Sequence, residues 1–194
     1  MPDPLPQLKQ LVEAIQPISP EEWQDFSRCW RPFSAKRKQI ITAAGERENY
    51  LYFIVEGVQR VFYLDEQNRE ATLVFSYPPS FGGVVDSLML QLPSRYYFET
   101  LTSSVFLRIS ILDLQAVMHR KPRVESMIRL GITHAMSGVL ERLVELQCFS
   151  STDKLKTLLH RSPHILQLVP HKYLANYIGV DPTNFSKLIN SIKI

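Results

Sequence analysis

The stretch HKYLANYIGVDPTNFSKLIN, residues 171–190, decides how this 194-residue chain is read. From Lys172 to Ile178 the apolar residues Leu174, Ala175 and Ile178 fall at helical spacing. Gly179 follows, free to take the positive φ that ends a helix. Asp181 suits an N-cap, and Pro182 suits the first helical position behind it. Phe185, Leu188 and Ile189 give a second helix its buried stripe. Small Ala175 lets the two helices cross closely, while Leu174, Ile178, Val180, Phe185 and Leu188 fill the angle between them. This is the pattern of a DNA-binding helix-turn-helix, whose second helix enters the major groove. A plain helical hairpin in a core is the competing reading.

Working back from this pair, Thr152 to Arg161 reads as a helix stopped by Ser162-Pro163. Ser150 with Asp153 resembles a helix start, so a domain boundary falls at Ser150-Ser151. Upstream, a long helix is expected from Arg123 to Phe149. Ile128, Ile132, Ala135, Val139 and Leu146 mark one stripe on it, and Met136, Leu140 and Leu143 widen that stripe. Such a face is broader than one neighbouring sheet needs, which fits pairing with the same helix of a second subunit. Packing of a single helix on its own barrel is the alternative. A shorter helix over 111–120 closes at Lys121-Pro122.

Between Gln39 and Ile109 the period changes to that of strands. Gln39 to Ala43, Tyr50 to Val55, Val58 to Leu64, Ala71 to Tyr77, Tyr96 to Leu101 and Val105 to Ile109 are rich in Val, Ile, Tyr, Phe and Thr. Gly45, Glu56-Gly57, Asp65 to Asn68 and Ser76 to Pro79 punctuate them as turns. Many short strands at even spacing imply a small antiparallel barrel or roll. Ahead of it, Leu8, Leu11, Val12 and Ile15 share a helical face, Pro17 and Pro20 break the run, and Ser19 can cap a second short helix. The basic run Lys36-Arg37-Lys38 reads as a solvated turn.

Several chemistries are set aside. All five histidines follow the last strand, so the barrel has no imidazole to offer a metal. His160 and His164 are four apart, but Pro163 spoils the helix they would need. Cys29 and Cys148 are too few for a four-cysteine site. No nucleophile–base pairing, phosphate-cradling loop or dinucleotide glycine pattern is seen, so no catalytic residue, metal or cofactor is expected. No apolar run is long enough to span a membrane, the first residues do not read as a signal peptide, and a cytoplasmic protein is expected. Charge is uneven: residues 1–110 hold 11 Lys+Arg against 13 Asp+Glu, and residues 111–194 hold 11 against 6. The basic surplus lies in the half with the helix-turn-helix, which fits a polyanion partner.

Helix, β-roll, long helix and helix-turn-helix, in that order, resemble the Crp/Fnr family of transcription regulators. The segments that carry the resemblance are AAGERENYLYFIVEGVQRVFYLDEQNRE, Phe81-Gly82-Gly83 followed by PSRYYFETL, and VPHKYLANYIGVDPTNFSKL. The last is most similar to short members from Bacteroidetes-type bacteria with a reduced winged hairpin. The resemblance implies an α+β fold with an effector-sensing β-roll over 1–121, of the cyclic-nucleotide-binding kind. It further implies a dimerisation helix and hinge over 122–150, and an all-α DNA-binding domain over 151–194. It implies a homodimer joined by residues 123–149, double-stranded DNA as partner, and a small anionic or nucleotide-like effector.

The effector residues implied are Gly82, Gly83, Arg95, Tyr96, Val139 and Leu140, and they match the family poorly. Cyclic-nucleotide-binding members have Phe-Gly-Glu where this chain has Phe81-Gly82-Gly83, so the carboxylate for the ribose is missing. Their phosphate-gripping arginine precedes Ser or Thr, whereas Arg95 precedes Tyr96. Val139 and Leu140 replace polar adenine contacts. Binding of cyclic AMP is therefore not expected, although Arg95 can still fork onto an anion. In the recognition helix, Thr183 and Lys187 stand where the family usually has Glu and Arg, with Asn184 and Asn190 nearby. Lys154, Lys156, Arg161, Lys172 and Lys193 are the phosphate contacts expected. The alternative function is a ligand-sensing or interaction module that no longer reads DNA.

Overall fold

The computed structural model describes residues 3–191. Two short helices come first, α1 (Leu5–Ile15) and α2 (Pro20–Ser27). Ser19 and Glu22 cap α2 reciprocally: Ser19 Oγ accepts the Glu22 N–H, and the Glu22 carboxylate accepts the Ser19 N–H at 2.7 Å. Eight strands follow. They are β1 (Arg31–Ala35), β2 (Ile40–Thr42), β3 (Tyr50–Glu56), β4 (Gln59–Leu64), β5 (Glu70–Ser76), β6 (Ser80–Gly82), β7 (Tyr97–Thr100) and β8 (Ser104–Ser110). A short helix α3 (Val85–Leu90) sits between β6 and β7.

The strands form two antiparallel four-stranded sheets, β1-β8-β3-β6 and β2-β7-β4-β5. Two-residue alternation gives each face its own job. On β3 and β8, Tyr52, Ile54 and Phe106 point between the sheets, where Val61, Val84 and Phe98 meet them. Leu51, Phe53, Leu107 and Ile109 point the other way, onto a helical layer holding Leu8, Val12, Phe26, Leu114 and Val117. The β3–β4 turn requires glycine. Gly57 has φ +91°, and a Cβ there would stand 2.6 Å from the Ser103 carbonyl.

Helix α4 (Ile111–Arg120) is capped by Ser110, and α5 (Pro122–Cys148) begins with a proline in its first turn. Its first turns bury Val124, Met127 and Ile128 in the helical layer. The remainder leaves the roll. Met136, Val139, Leu140, Leu143 and Val144 are each about half exposed, between 49% and 62%. Extended Phe149 ends α5, and Ser150 caps α6 (Ser151–Arg161). Then come α7 (Ile165–Leu168), α8 (His171–Tyr177) and α9 (Pro182–Ser191). No helix among the described residues is long and apolar enough to cross a membrane.

The antiparallel roll, the 27-residue helix and the terminal helices follow the α+β plan read from the sequence. Four elements escaped that reading. β1 contains Pro32, which is tolerated because β1 is an edge strand. β6, α3 and α7 are three, six and four residues long, too short for a period to show.

Candidate functional site

Helices α8 and α9 build the turn that the sequence predicted. The Ile178 N–H reaches the Leu174 carbonyl at 3.0 Å, Gly179 turns at φ +65°, and the Val180 N–H reaches back to Ala175 at 2.9 Å. Asp181 caps α9 by accepting the Thr183 and Asn184 N–H groups at 2.8 and 3.3 Å. Leu174, Ala175, Ile178 and Phe185 are buried with Leu155, Leu158, Ile165 and Val169, so α6 and α7 complete the small core. Thr183, Asn184, Lys187 and Asn190 all lie exposed on α9. The macrodipole places partial positive charge at the start of that helix, beside Thr183 and Asn184.

Of the basic residues expected to meet phosphates, Lys156 and Lys172 are exposed and Lys154 is half-buried. Arg161 is instead ion-paired with Glu145 of α5. Its charge is spent within the chain, so it is a poorer phosphate contact than its position suggested. Lys193 lies outside the described residues.

The terminal helices dock on the outer face of the β2-β7-β4-β5 sheet. Arg60 of β4 is buried and pairs with Glu99 at 2.7 Å and Glu70 at 2.5 Å. Its guanidinium lies 4.0 Å from the Phe62 ring and 4.1 Å from the Tyr173 ring. Lys38 reaches the Tyr173 hydroxyl at 2.5 Å, so the basic turn is not merely solvated. Burial would raise the Tyr173 pKa, but the hydrogen bonds from Lys38 and Lys172 and the nearby charges bring it below the usual phenol value. Phe75 packs on Tyr177, whose other neighbour is Arg142 of α5. None of this set of contacts between the terminal helices and the roll was read from the sequence. Each partner is ordinary in its own segment, and only the fold brings residues 38, 60 and 173 together.

Of the six expected effector residues, four flank one short segment of the roll and two lie on α5. Gly82 ends β6 and Gly83 follows it, and Arg95 and Tyr96 lead into β7, so these four border one segment. Arg95 is exposed. Ser94 holds Tyr96 through its hydroxyl, which accepts the Tyr96 N–H and donates to the Tyr96 carbonyl. Val139 and Leu140 lie exposed on the free face of α5. The roll interior is filled with side chains: the Tyr52 ring stands 5.4 Å from Phe98 and 5.5 Å from Phe106. Gly83 has φ +115°, and a Cβ there would come 3.3 Å from the Tyr50 carbonyl and from Tyr52, and 3.5 Å from the Glu48 carboxylate. A glutamate at this position would be strained and would face another carboxylate. The missing acid is thus part of how this roll packs.

Residues 32–121 match the cyclic nucleotide-binding domain family. No curated protein matches the sequence. Three solved structures are similar at low identity. FixK2 from Bradyrhizobium japonicum is 15% identical, with 83% of each chain covered and a TM-score of 0.76. The c-di-GMP responsive global regulator CLP from Xanthomonas campestris is 15% identical, with 89% of this chain and 90% of that one covered and a TM-score of 0.70. A putative Crp/Fnr-family transcriptional regulator from Eubacterium rectale is also 15% identical, covering 89% and 82%, with a TM-score of 0.70. Residues 32–121 thus match the cyclic nucleotide-binding domain family, and the chain carries the fold of the Crp/Fnr transcription regulators.

Proposed function

We infer that this protein is a dimeric, DNA-binding transcription regulator of the Crp/Fnr type and not an enzyme. The observation that carries the reading is the free outer face of α9: Thr183, Asn184, Lys187 and Asn190 stay exposed while Phe185, on the opposite face, is buried with Leu174, Ala175 and Ile178. Residues 1–121 act as the sensing domain, 122–150 as dimerisation helix and hinge, and 151–194 as the DNA-binding domain. Asparagine can read adenine, lysine can meet the O6/N7 edge of guanine, and Lys154 and Lys172 supply phosphate contacts. The exposed apolar residues on α5 support a homodimer through that helix. The filled roll interior and the geometry at Gly83 argue against cyclic AMP as effector. An effector acts here by binding one placement of the terminal domains more tightly than another.

A gel-shift titration against genomic fragments tests the reading. Sequence-selective, salt-sensitive binding supports it. A second reading, an interaction module that no longer reads DNA, is favoured by one feature: Lys187 is the single basic residue of α9 among the described residues. Binding that is absent, or equal for every fragment, would select that reading.

A further inference from the structure

A groove of about 610 Å³ opens at the mouth of the roll, between β1, β2, β3 and β8. This volume lies within the range of small-molecule sites. None of the six residues tied to the effector by resemblance lines it. At its wall, the Arg108 guanidinium lies 4.2 Å from the Phe33 ring and 4.2 Å from the Tyr50 ring. Stacking of this kind covers the faces of the guanidinium and leaves its edge, where the N–H donors lie, to bond in plane, with the Tyr52 hydroxyl as one partner. No carboxylate among the described residues forms an ion pair with Arg108.

Two acids line the groove, Glu46, which is exposed, and Glu48, which is buried. Glu46 accepts the Ala43 N–H at 3.0 Å. Glu48 accepts from the Thr42 hydroxyl at 2.7 Å and from the Asn49 and Tyr50 N–H groups at 3.0 and 3.1 Å. Tyr52 also lines the groove, and burial pushes its hydroxyl well above the usual phenol range, so it remains a donor. Beside the exposed Glu46 carboxylate, the groove thus offers the Arg108 edge and the Tyr52 hydroxyl as donors, set against aromatic walls.

We propose that this groove binds a small carboxylate or phosphate on a flat, apolar body, with Arg108 forking onto the anion and Tyr50, Tyr52 and Phe33 holding the body. Two parallel N–H···O bonds from a guanidinium already fixed by stacking give both strength and orientation. The proposal rests on the groove and Arg108, and does not depend on whether the chain reads DNA.

The test uses the full chain, isotopically labelled, titrated with benzoate, phenyl phosphate and inorganic phosphate. The signals followed are the Arg108 side-chain N–H and the Tyr50 and Tyr52 amides. Benzoate, phenyl phosphate or both should give saturable shifts there at millimolar concentration, and inorganic phosphate should bind more weakly for want of a flat body. Which of the two organic anions binds assigns the headgroup. Arg108→Gln should weaken binding about tenfold, Arg108→Lys by less, and Arg95→Gln should leave it unchanged. No saturable shift at these residues with any probe overturns the proposal and leaves Arg108 as a cover for the aromatic core. Equal binding by Arg108→Gln also overturns it, as does a loss confined to Arg95→Gln. Mapping on the unmodified chain decides the matter if Arg108→Gln does not fold.

Discussion

The side-chain amide of Asn176 closes the free edge of β5: its oxygen accepts the Thr72 N–H at 2.6 Å, and its nitrogen donates to the Glu70 carbonyl at 2.7 Å. An edge strand leaves a row of backbone groups unpaired, and here one α8 residue satisfies two of them. The same residue therefore fixes where the helix-turn-helix sits on the roll. Asn176→Ala should cost about 1–3 kcal/mol of docking, since it strands a donor and an acceptor. Hydrogen exchange at the Thr72 amide should accelerate while amides in the roll interior stay protected. Unchanged protection at Thr72 would mean that the amide contact holds nothing.

The dimer prediction rests on spacing along α5. Ile132, Met136, Val139, Leu143 and Leu146 alternate at four and three residues, the period of a coiled-coil seam. Leu146 is a poor probe, because its methyl lies 3.4 Å from where a Cβ on Gly179 would stand and so also serves the terminal domain. Val139→Glu with Leu143→Glu is cleaner. Two charges per subunit at the seam should give monomers in sedimentation, with the fold of each chain kept. A dimer that survives both changes would place the interface elsewhere.

Cyclic AMP should bind weakly or not at all. Each hydrogen bond to a charged group is worth about 1.5–3 kcal/mol, and the ribose carboxylate and both adenine contacts are absent. Losing several costs orders of magnitude in affinity. Gly83→Glu should not restore binding, because φ +115° and the nearby Tyr50 carbonyl leave that side chain no relaxed place. Calorimetry returning micromolar binding in the parent chain would refute this.

What the sequence disclosed follows from the range of each signal. The helix-turn-helix was legible because Ala175, Gly179, Asp181 and Phe185 act within a few residues of one another. The roll was legible because most of its strands alternate and end in turns. The contacts of Arg60 with Tyr173 and of Asn176 with Thr72 span more than a hundred residues, and no local pattern encodes them. Arg95 was singled out by resemblance and is exposed, while Arg108 drew no reading inside a strand rich in apolar residues. A charge within a strand gave no sign that two rings would flank it.

Glu48 gives a pH prediction. Burial pushes its carboxyl above the ordinary value of 4.5, against the opposing hydrogen bonds from Thr42 and the Tyr50, Val84 and Asn49 N–H groups. The folded chain thus holds this proton more tightly than the unfolded chain does. The stabilising contribution is fully present below 4.5 and is lost as pH rises through the folded value. Glu48→Gln removes the titration. The stability of the parent relative to Glu48→Gln should therefore fall as pH rises above 4.5. Parallel melting-temperature profiles for the two proteins would show that Glu48 ionises normally.

The last prediction concerns the face of α9. The early residues of a recognition helix lie nearest the base edges, and here these are Thr183 and Asn184, with Lys187 one turn on. Lys172 lies on α8, outside that helix, and is exposed. It can reach the sugar-phosphate backbone but not the bases if α9 fills the groove. The two kinds of contact separate in mutants. Lys172→Ala should weaken binding to every sequence alike and lower the salt slope by about one unit. Asn184→Ala or Lys187→Ala should cost roughly 1–3 kcal/mol on the preferred site and relax the choice of base. Asn190, later on the helix, should matter less than Asn184. A specific and a scrambled fragment, each titrated at two salt concentrations, distinguish these patterns. If Lys172→Ala, Asn184→Ala and Lys187→Ala all bind both fragments as the parent does, α9 is not in the groove, and its exposed face serves a partner other than DNA.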